Sequence, residues 1–198
     1  MRFATTVYNK FQSHFNCLAI FLFCKKKAMS KIRTDGFLQE LNSEYKATRA
    51  CVERIPESLF EFKPHPKSMQ LGYLTLLVAE IPLWIKHMIV DSEIDFATFK
   101  HESPKTTDEV VKFFERNMEA ARSALQNTND EELTSTNFSL KANGNVLYTA
   151  PKIVDVSTTL NHWVHHRGQL TVYMRLNDIA VPSIYGPSAD EQTFAPPK

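Results

Sequence analysis

Two histidines, His162 and His166, are the residues of this sequence best suited to chemistry, because they lie four positions apart in a helical stretch. Residues at that spacing are neighbours on one helix face, so the two imidazoles project together. Their stripe continues through Gln169, Tyr173 and Leu176, and its apolar end predicts that the stripe faces the interior. Imidazole nitrogens turned toward a core need partners, and a divalent metal such as zinc or nickel would satisfy them.

Hydrogen bonds to buried polar groups are the alternative explanation for this pair, and the spacing alone does not decide between the two. His165 is turned by about 100° from His166 around a helix, which predicts either a place at the rim of the site or a role as a hydrogen-bond partner. Arg167 is expected to face solvent or to pair with an acid.

Composition indicates one ordinary globular domain in a reducing compartment, and therefore a cytoplasmic protein. The chain has 198 residues, of which 43% are hydrophobic and 23% charged. Cys51 is the single thiol after Met29, which excludes an internal disulfide there and favours a core position over a reactive nucleophile. Residues 29–198 carry 18 basic and 22 acidic residues, a balance that argues against nucleic-acid binding.

Apolar residues at helical spacing predict four long helices, at residues 34–55, 69–90, 107–127 and 155–177. Ser68 is expected to cap the second helix, and Thr106 with Glu109 has the spacing of a capping box for the third. Pro82 falls inside the second helix and should kink it near Val78. Minor β structure is expected around 138–148, where Asn143-Gly144 separates two apolar stretches and favours a hairpin.

Several segments together resemble the DinB-like superfamily over nearly all of residues 30–192. They are Lys63-Pro-His-Pro-Lys-Ser-Met69, Leu71-Gly72, Ala79-Glu80, His162 through Gln169 with Tyr173 and Arg175, and Tyr185-Gly-Pro-Ser-Ala-Asp-Glu191. The resemblance implies an all-α fold, an up-down-down-up four-helix bundle that is often a homodimer. It also implies a divalent-metal site made of three histidines, one from the second helix and two from the fourth. Better-understood relatives include thiol-dependent transferases and isomerases.

This chain departs from that pattern at one ligand. His162 and His166 match the two histidines of the fourth helix, but Leu77 stands where the second helix should supply the third. Two protein ligands hold an ion less well than three. Because helical side chains lean toward the N-terminus, Glu80 could reach back to complete the site, and His65 is a weaker candidate. The alternative is a degenerate site in which Glu80 is an ordinary polar residue.

Two function classes follow from these alternatives. The first is a metal-dependent transferase or hydrolase acting on a small molecule, with Tyr173 or Gln169 orienting the substrate. The second is a non-catalytic binding or stress-associated protein that kept the fold and lost the full metal triad. The sequence names no substrate, and the fold alone does not set the reaction.

Residues 1–28 differ from the rest of the chain. Their apolar run Cys17–Cys24 is far shorter than the roughly 20 residues that span a bilayer, and the lysines after it are unlike a signal-peptide cleavage site. We interpret Met29 as the true start, with residues 1–28 a start-site over-extension or a disordered tail; a membrane-surface anchor is the alternative.

A chain that starts at Met29 should therefore fold with an unchanged melting temperature, measured by circular dichroism beside the full chain. A loss of several degrees on truncation would show that residues 1–28 are part of the folded structure.

Overall fold

A computed structural model describes residues 30–192, so the interpretation of residues 1–28 concerns a segment that lies outside the described residues. The described chain is mostly helical with a small three-stranded sheet. Its elements are α1 (Ile32–Glu53), α2 (Leu71–Lys86), β1 (Glu93–Asp95), α3 (Thr107–Asn127), α4 (Asp130–Ser135), β2 (Asn137–Ala142), β3 (Asn145–Pro151) and α5 (Lys152–Leu176). A short 3-10 turn, Glu57–Leu59, precedes α2, and a π-helical turn, His87–Asp91, extends it.

The four predicted helices correspond to α1, α2, α3 and α5, with ends that differ by a few residues at most. The capping box that begins α3 is confirmed, since the Thr106 hydroxyl accepts from the Glu109 N–H and the Glu109 carboxylate accepts from Thr106. The cap predicted at Ser68 is wrong, because α2 begins at Leu71. The Ser68 N–H donates instead to the His65 carbonyl within a turn, which holds Ser68 outside the helix.

One hydrophobic core receives side chains from all four long helices. Its most apolar contributor is α2, and the stretch Leu71–Asp91 would be long and apolar enough to cross a membrane by length and composition. In the structure, α2 lies between α3 and α5 and buries most of its length against them, so packing in the core accounts for its composition. The chain direction reverses between α2 and α5, since Tyr173 near the end of α5 donates to the Met69 carbonyl just before α2.

A proline inside α2 creates the hydrogen bond that joins α2 to α5. Pro82 has no N–H, so the carbonyl of Val78, four residues earlier, lacks its usual helical partner. The indole Nε1–H of Trp163 on α5 donates to this carbonyl at 2.9 Å, and Trp163 is 1% exposed. The helix continues on both sides of Pro82, and its freed carbonyl fixes the position of α5.

A buried ion pair joins α5 to α1. The guanidinium of Arg167 donates to the carboxylate of Glu44 and, at 3.2 Å, to the hydroxyl of Thr48. Tyr185 completes the group, since its hydroxyl accepts from Arg167 and donates to Glu44. The predicted solvent-facing position of Arg167 is therefore wrong and its predicted pairing with an acid is confirmed, because a charge at this depth needs a matching charge and further hydrogen bonds.

The sheet has the order β1-β2-β3, with β1 parallel to β2 and β2 antiparallel to β3. The predicted hairpin is confirmed: Asn143 and Gly144 both have positive φ, 51° and 77°, as a two-residue hairpin turn requires. The carboxylate of Asp95 accepts from the N–H groups of Asn143 and Gly144, so β1 holds the turn in place.

Replacing Trp163 by Phe should lower the free energy of unfolding by about 1–3 kcal/mol beyond the lost packing, because it leaves the Val78 carbonyl buried without a partner. The substitution Pro82→Ala supplies an N–H that can bond to this carbonyl. We therefore expect Trp163→Phe to cost less in the Pro82→Ala background, as measured by urea denaturation of all four proteins.

Trp84→Phe is the matched control, since the Trp84 indole makes no hydrogen bond within the described residues. Its cost should be the same with and without the Pro82→Ala substitution. Equal costs of Trp163→Phe in both backgrounds would contradict the assignment of the Val78–Trp163 bond to the missing proline N–H.

Candidate functional site

His162 and His166 meet on α5 as their spacing predicts. Their Nε2 atoms lie 2.7 Å apart and their ring centroids 4.5 Å apart. The Nδ1 atom of His166 lies 2.7 Å from the side-chain oxygen of Gln169. Because that oxygen only accepts, Nδ1 carries the hydrogen, and in the neutral ring the Nε2 atom of His166 is then a bare acceptor.

Both imidazoles favour the neutral form. Burial lowers the pKa of His162 below its ordinary value, and the neighbouring rings of His166 and His165 lower it further. Burial also lowers the pKa of His166, against the hydrogen bond to Gln169, which raises it. Since a histidine with a lowered pKa loses its proton below the usual value near pH 6.5, both rings carry lone pairs at neutral pH.

The pair lies on the flank of α5 and not on its innermost stripe. The interior-facing positions are those of Trp163 and Arg167, one residue further along, while both histidine side chains are half-buried. The expectation that the histidine stripe faces the core is therefore wrong at its end, where Leu176 is exposed. His165 is exposed, as predicted for a rim position, and its ring centroid lies 5.1 Å from that of His166.

The helix opposite the pair is α2, whose Trp84 ring lies 5.5 Å from the His162 ring. Because α2 and α5 run in opposite directions, with Met69 beside Tyr173, Leu77 falls at the level of His166 along α5. Leu77 is half-buried and packs against the core. This position brings no ligand atom to the pair.

Glu80, which was predicted to complete the metal site, bonds instead to His101. It is 4% exposed, and its carboxylate lies 2.8 Å from the Nδ1 atom of His101, in the connection between β1 and α3. His65 is exposed, and its Nδ1 atom accepts from the Lys67 N–H at 3.2 Å. Within residues 30–192, no three His, Cys, Asp or Glu side chains are grouped so that they could hold a metal ion.

Gln169 and Tyr173, the two residues expected to orient a substrate, also make hydrogen bonds within the protein. Gln169 bonds to His166, and the hydroxyl of Tyr173 donates to the Met69 carbonyl at 3.2 Å. Both contacts position the helix and its histidines. Sequence spacing could not reveal them, because Met69 is distant along the chain and the Gln169 amide could equally have turned outward.

Asp155, the first residue of the fourth helix as predicted from the sequence (155–177), is a buried acid. The helix begins earlier, at Lys152, which turns Asp155 inward, two turns before His162 on a similar face. Burial raises the pKa of Asp155, and the nearby hydroxyl of Tyr148 opposes that rise. Its Oδ2 atom has no hydrogen-bond partner among the described residues.

Comparison with known proteins adds a family and a fold. The model of the DinB family matches residues 29–198. A crystal structure of a DinB-like protein from Bacillus cereus ATCC 10987 has a TM-score of 0.59 and 23% identity, covering 76% of this chain and 97% of that protein. The DinB-like protein YjoA from Bacillus subtilis has a TM-score of 0.61 and 17% identity, covering 79% and 99%. No curated protein is significantly similar to the chain.

Proposed function

Because the chain belongs to the DinB family, we propose that His162 and His166 bind a divalent metal ion, zinc or nickel, in a site without the expected third histidine. The observation that carries the proposal is the pair itself: two half-buried imidazoles whose Nε2 atoms face each other at 2.7 Å. A metal-dependent transferase or hydrolase acting on a small molecule is the activity that we assign to this site.

The surroundings of the pair support metal binding. Neutral imidazole is the form that coordinates metals, and the lowered pKa values keep both rings neutral at pH 7. The hydrogen bond from Nδ1 of His166 to Gln169 directs the bare Nε2 atom toward His162. Metal-binding histidines commonly donate their second nitrogen to an oxygen in this way, which fixes the ring and raises its basicity.

The site offers two protein ligands for a metal ion, His162 and His166, and no third. Leu77 supplies no donor, and the carboxylate of Glu80 is already bonded to His101. We therefore expect this site to bind a metal ion with lower affinity than a three-histidine site does. A bound ion would polarise a substrate oxygen or lower the pKa of a coordinated water. The chain itself holds His166 through Gln169 and packs Trp84 against His162, which orients the pair and shields one side from water.

The second candidate is a non-catalytic role, as a binding or stress-associated protein whose histidine pair holds no metal ion. The observation that favours it is the direct His162–His166 contact, in which the Nε2–H of one neutral ring donates to the bare Nε2 of the other. Such a contact satisfies both Nε2 atoms, so no ion is needed to offset the cost of burying them. An ion and this hydrogen bond compete for the same two atoms, so a measurement of metal binding separates the two functions.

Four further parts of the proposal rest on the family and on the contacts: the bundle, the location, the substrate class and the homodimer. Lys31, just before α1, donates to Gln126 at the end of α3, and α2 and α5 also run in opposite directions, which supports an up-down-down-up four-helix bundle. A buried, reduced Cys51 supports a cytoplasmic protein. The small-molecule substrate and the homodimer are inferred from family resemblance.

Isothermal titration of the purified, chelator-treated protein with zinc and with nickel tests the metal site. The substitution His166→Ala should abolish binding, and Leu77→His should tighten it at least about tenfold, about 1.4 kcal/mol, because it restores a third nitrogen. Glu80→Gln should leave the affinity unchanged, since that carboxylate is bonded to His101.

His165→Ala is the matched control, because it removes an imidazole from the same turn of α5 without touching the pair and should preserve binding. Loss of affinity in Glu80→Gln would show that Glu80 is the third ligand. If neither the wild type nor Leu77→His binds zinc or nickel at micromolar concentrations, the metal proposal is wrong and the non-catalytic alternative stands.

A further inference from the structure

Glu80 and His101 form a pair in which a buried carboxylate holds an exposed imidazole. Glu80 is 4% exposed, and its two carboxylate oxygens lie 2.8 and 3.0 Å from the Nδ1 atom of His101. Within residues 30–192, every hydrogen bond of this carboxylate goes to that imidazole. A carboxylate at this depth needs a donor, so the bond also holds the imidazole in place.

This hydrogen bond determines which nitrogen of His101 can act as a base. A carboxylate only accepts, so Nδ1 carries the hydrogen, and in the neutral ring Nε2 is a bare acceptor. The Nε2 atom makes no hydrogen bond to the described part of the chain, and the His101 side chain is 59% exposed. An imidazole that donates one nitrogen to a buried carboxylate is the arrangement by which enzymes abstract a proton, because the carboxylate orients the ring and stabilises the imidazolium.

The buried carboxylate lies on the face of α2 that borders the histidines of α5. Glu80 is three residues after Leu77 and four before Trp84, and residues at those spacings share a helix face. The Trp84 ring lies 5.5 Å from the His162 ring, and Leu77 lies at the level of His166. The imidazole that Glu80 holds is therefore on the same side of the molecule as the histidine pair.

The surroundings of His101 favour an apolar substrate and water as its nucleophile. The half-buried Phe99 ring contacts the His101 ring edge-on, with centroids 4.9 Å apart, and the half-buried Trp84 ring contacts His162. Aromatic rings bind apolar groups and bring no charge of their own. Cys51, the one thiol of the described residues, is buried in the core and cannot reach this surface. Water does reach the exposed His101 imidazole.

We propose that His101 is the general base of a hydrolase, which takes a proton from the water molecule that attacks a small ester with an apolar or aromatic group. As the water oxygen forms its bond to the acyl carbon, one of its protons passes to Nε2 of His101. The bond from the acyl carbon to the leaving oxygen then breaks. The imidazolium returns the proton to that oxygen, so the products are a carboxylic acid and an alcohol.

Glu80 is a positioning residue in this reaction. Its carboxylate keeps the hydrogen on Nδ1 of His101, and its charge stabilises the imidazolium that forms. The inference rests on the proposed function for the place where the ester binds, beside His162 and His166. It selects hydrolysis from the two activities assigned to that site.

Hydrolysis of p-nitrophenyl acetate by the full chain, with and without added zinc, tests this assignment. The wild type should hydrolyse the ester faster than buffer does, and His101→Ala should lower kcat at least about a hundredfold, as the loss of a general base does. Added imidazole should restore part of that rate, because it supplies the missing base; a purely structural role for His101 would allow no such rescue. Glu80→Gln should lower kcat at least about tenfold with KM unchanged, because it removes the charge that stabilises the imidazolium.

His65→Ala is the matched control. His65 is also an exposed histidine, but its Nδ1 atom accepts from the Lys67 N–H and donates to no carboxylate, so its loss should leave the rate of ester hydrolysis unchanged. Circular dichroism and melting temperature establish that each variant is folded.

Titration of the same proteins with zinc separates this inference from the metal site. A wild type that binds zinc, but whose ester hydrolysis persists in folded His101→Ala, overturns the general base and leaves the metal site standing. Hydrolysis that falls in His101→Ala and returns with imidazole, in a protein that binds no zinc, supports the general base and overturns the metal site. A wild type that is no faster than buffer, with or without zinc, overturns the general base.

Discussion

The bond from the Trp163 indole to the Val78 carbonyl is the constraint that places the site. A proline in α2 removes one helical hydrogen bond, and an unpaired carbonyl in this core would cost of the order of 1–3 kcal/mol. The indole of Trp163, on the neighbouring helix α5, satisfies it with a donor at 2.9 Å. This bond fixes both the rotation of α5 and its height along α2. The next inward residue, Arg167, meets Glu44 on α1 one turn later, so α5 is held against two helices at once.

The position of the histidines follows from that rotation. With Trp163 and Arg167 turned inward, the residues just before each of them, His162 and His166, lie on the flank. Their partial burial lowers the pKa of each ring, and their partial exposure leaves both accessible to a ligand. The same rotation sets Leu77 at their level on α2. The site therefore consists of two imidazoles. Its chemistry depends on which further group coordinates a metal ion with them or forms hydrogen bonds with them.

Much of this could be predicted from the sequence, because it rests on local signals. Helical periodicity located the long helices, the spacing of Thr106 and Glu109 predicted a cap, and Asn143-Gly144 predicted a turn with positive φ. The burial of Arg167 and the pairing of Glu80 with His101 could not be predicted in the same way. Both depend on partners that are distant in sequence, and a charged residue in a helix gives no local sign of the depth at which it lies. The strand β1, three residues long, is likewise defined only by its neighbour β2.

The protonation of His166 tests the account of the site most directly, and long-range proton–nitrogen NMR correlation at pH 7 can observe it. We expect a neutral ring with its hydrogen on Nδ1 and a bare Nε2, and we expect added zinc to shift the Nε2 signals of His162 and His166 while those of His165 stay in place. A hydrogen on Nε2 of His166 with a bare Nδ1, or nitrogen signals of the pair that do not respond to zinc, would contradict a metal-binding histidine pair.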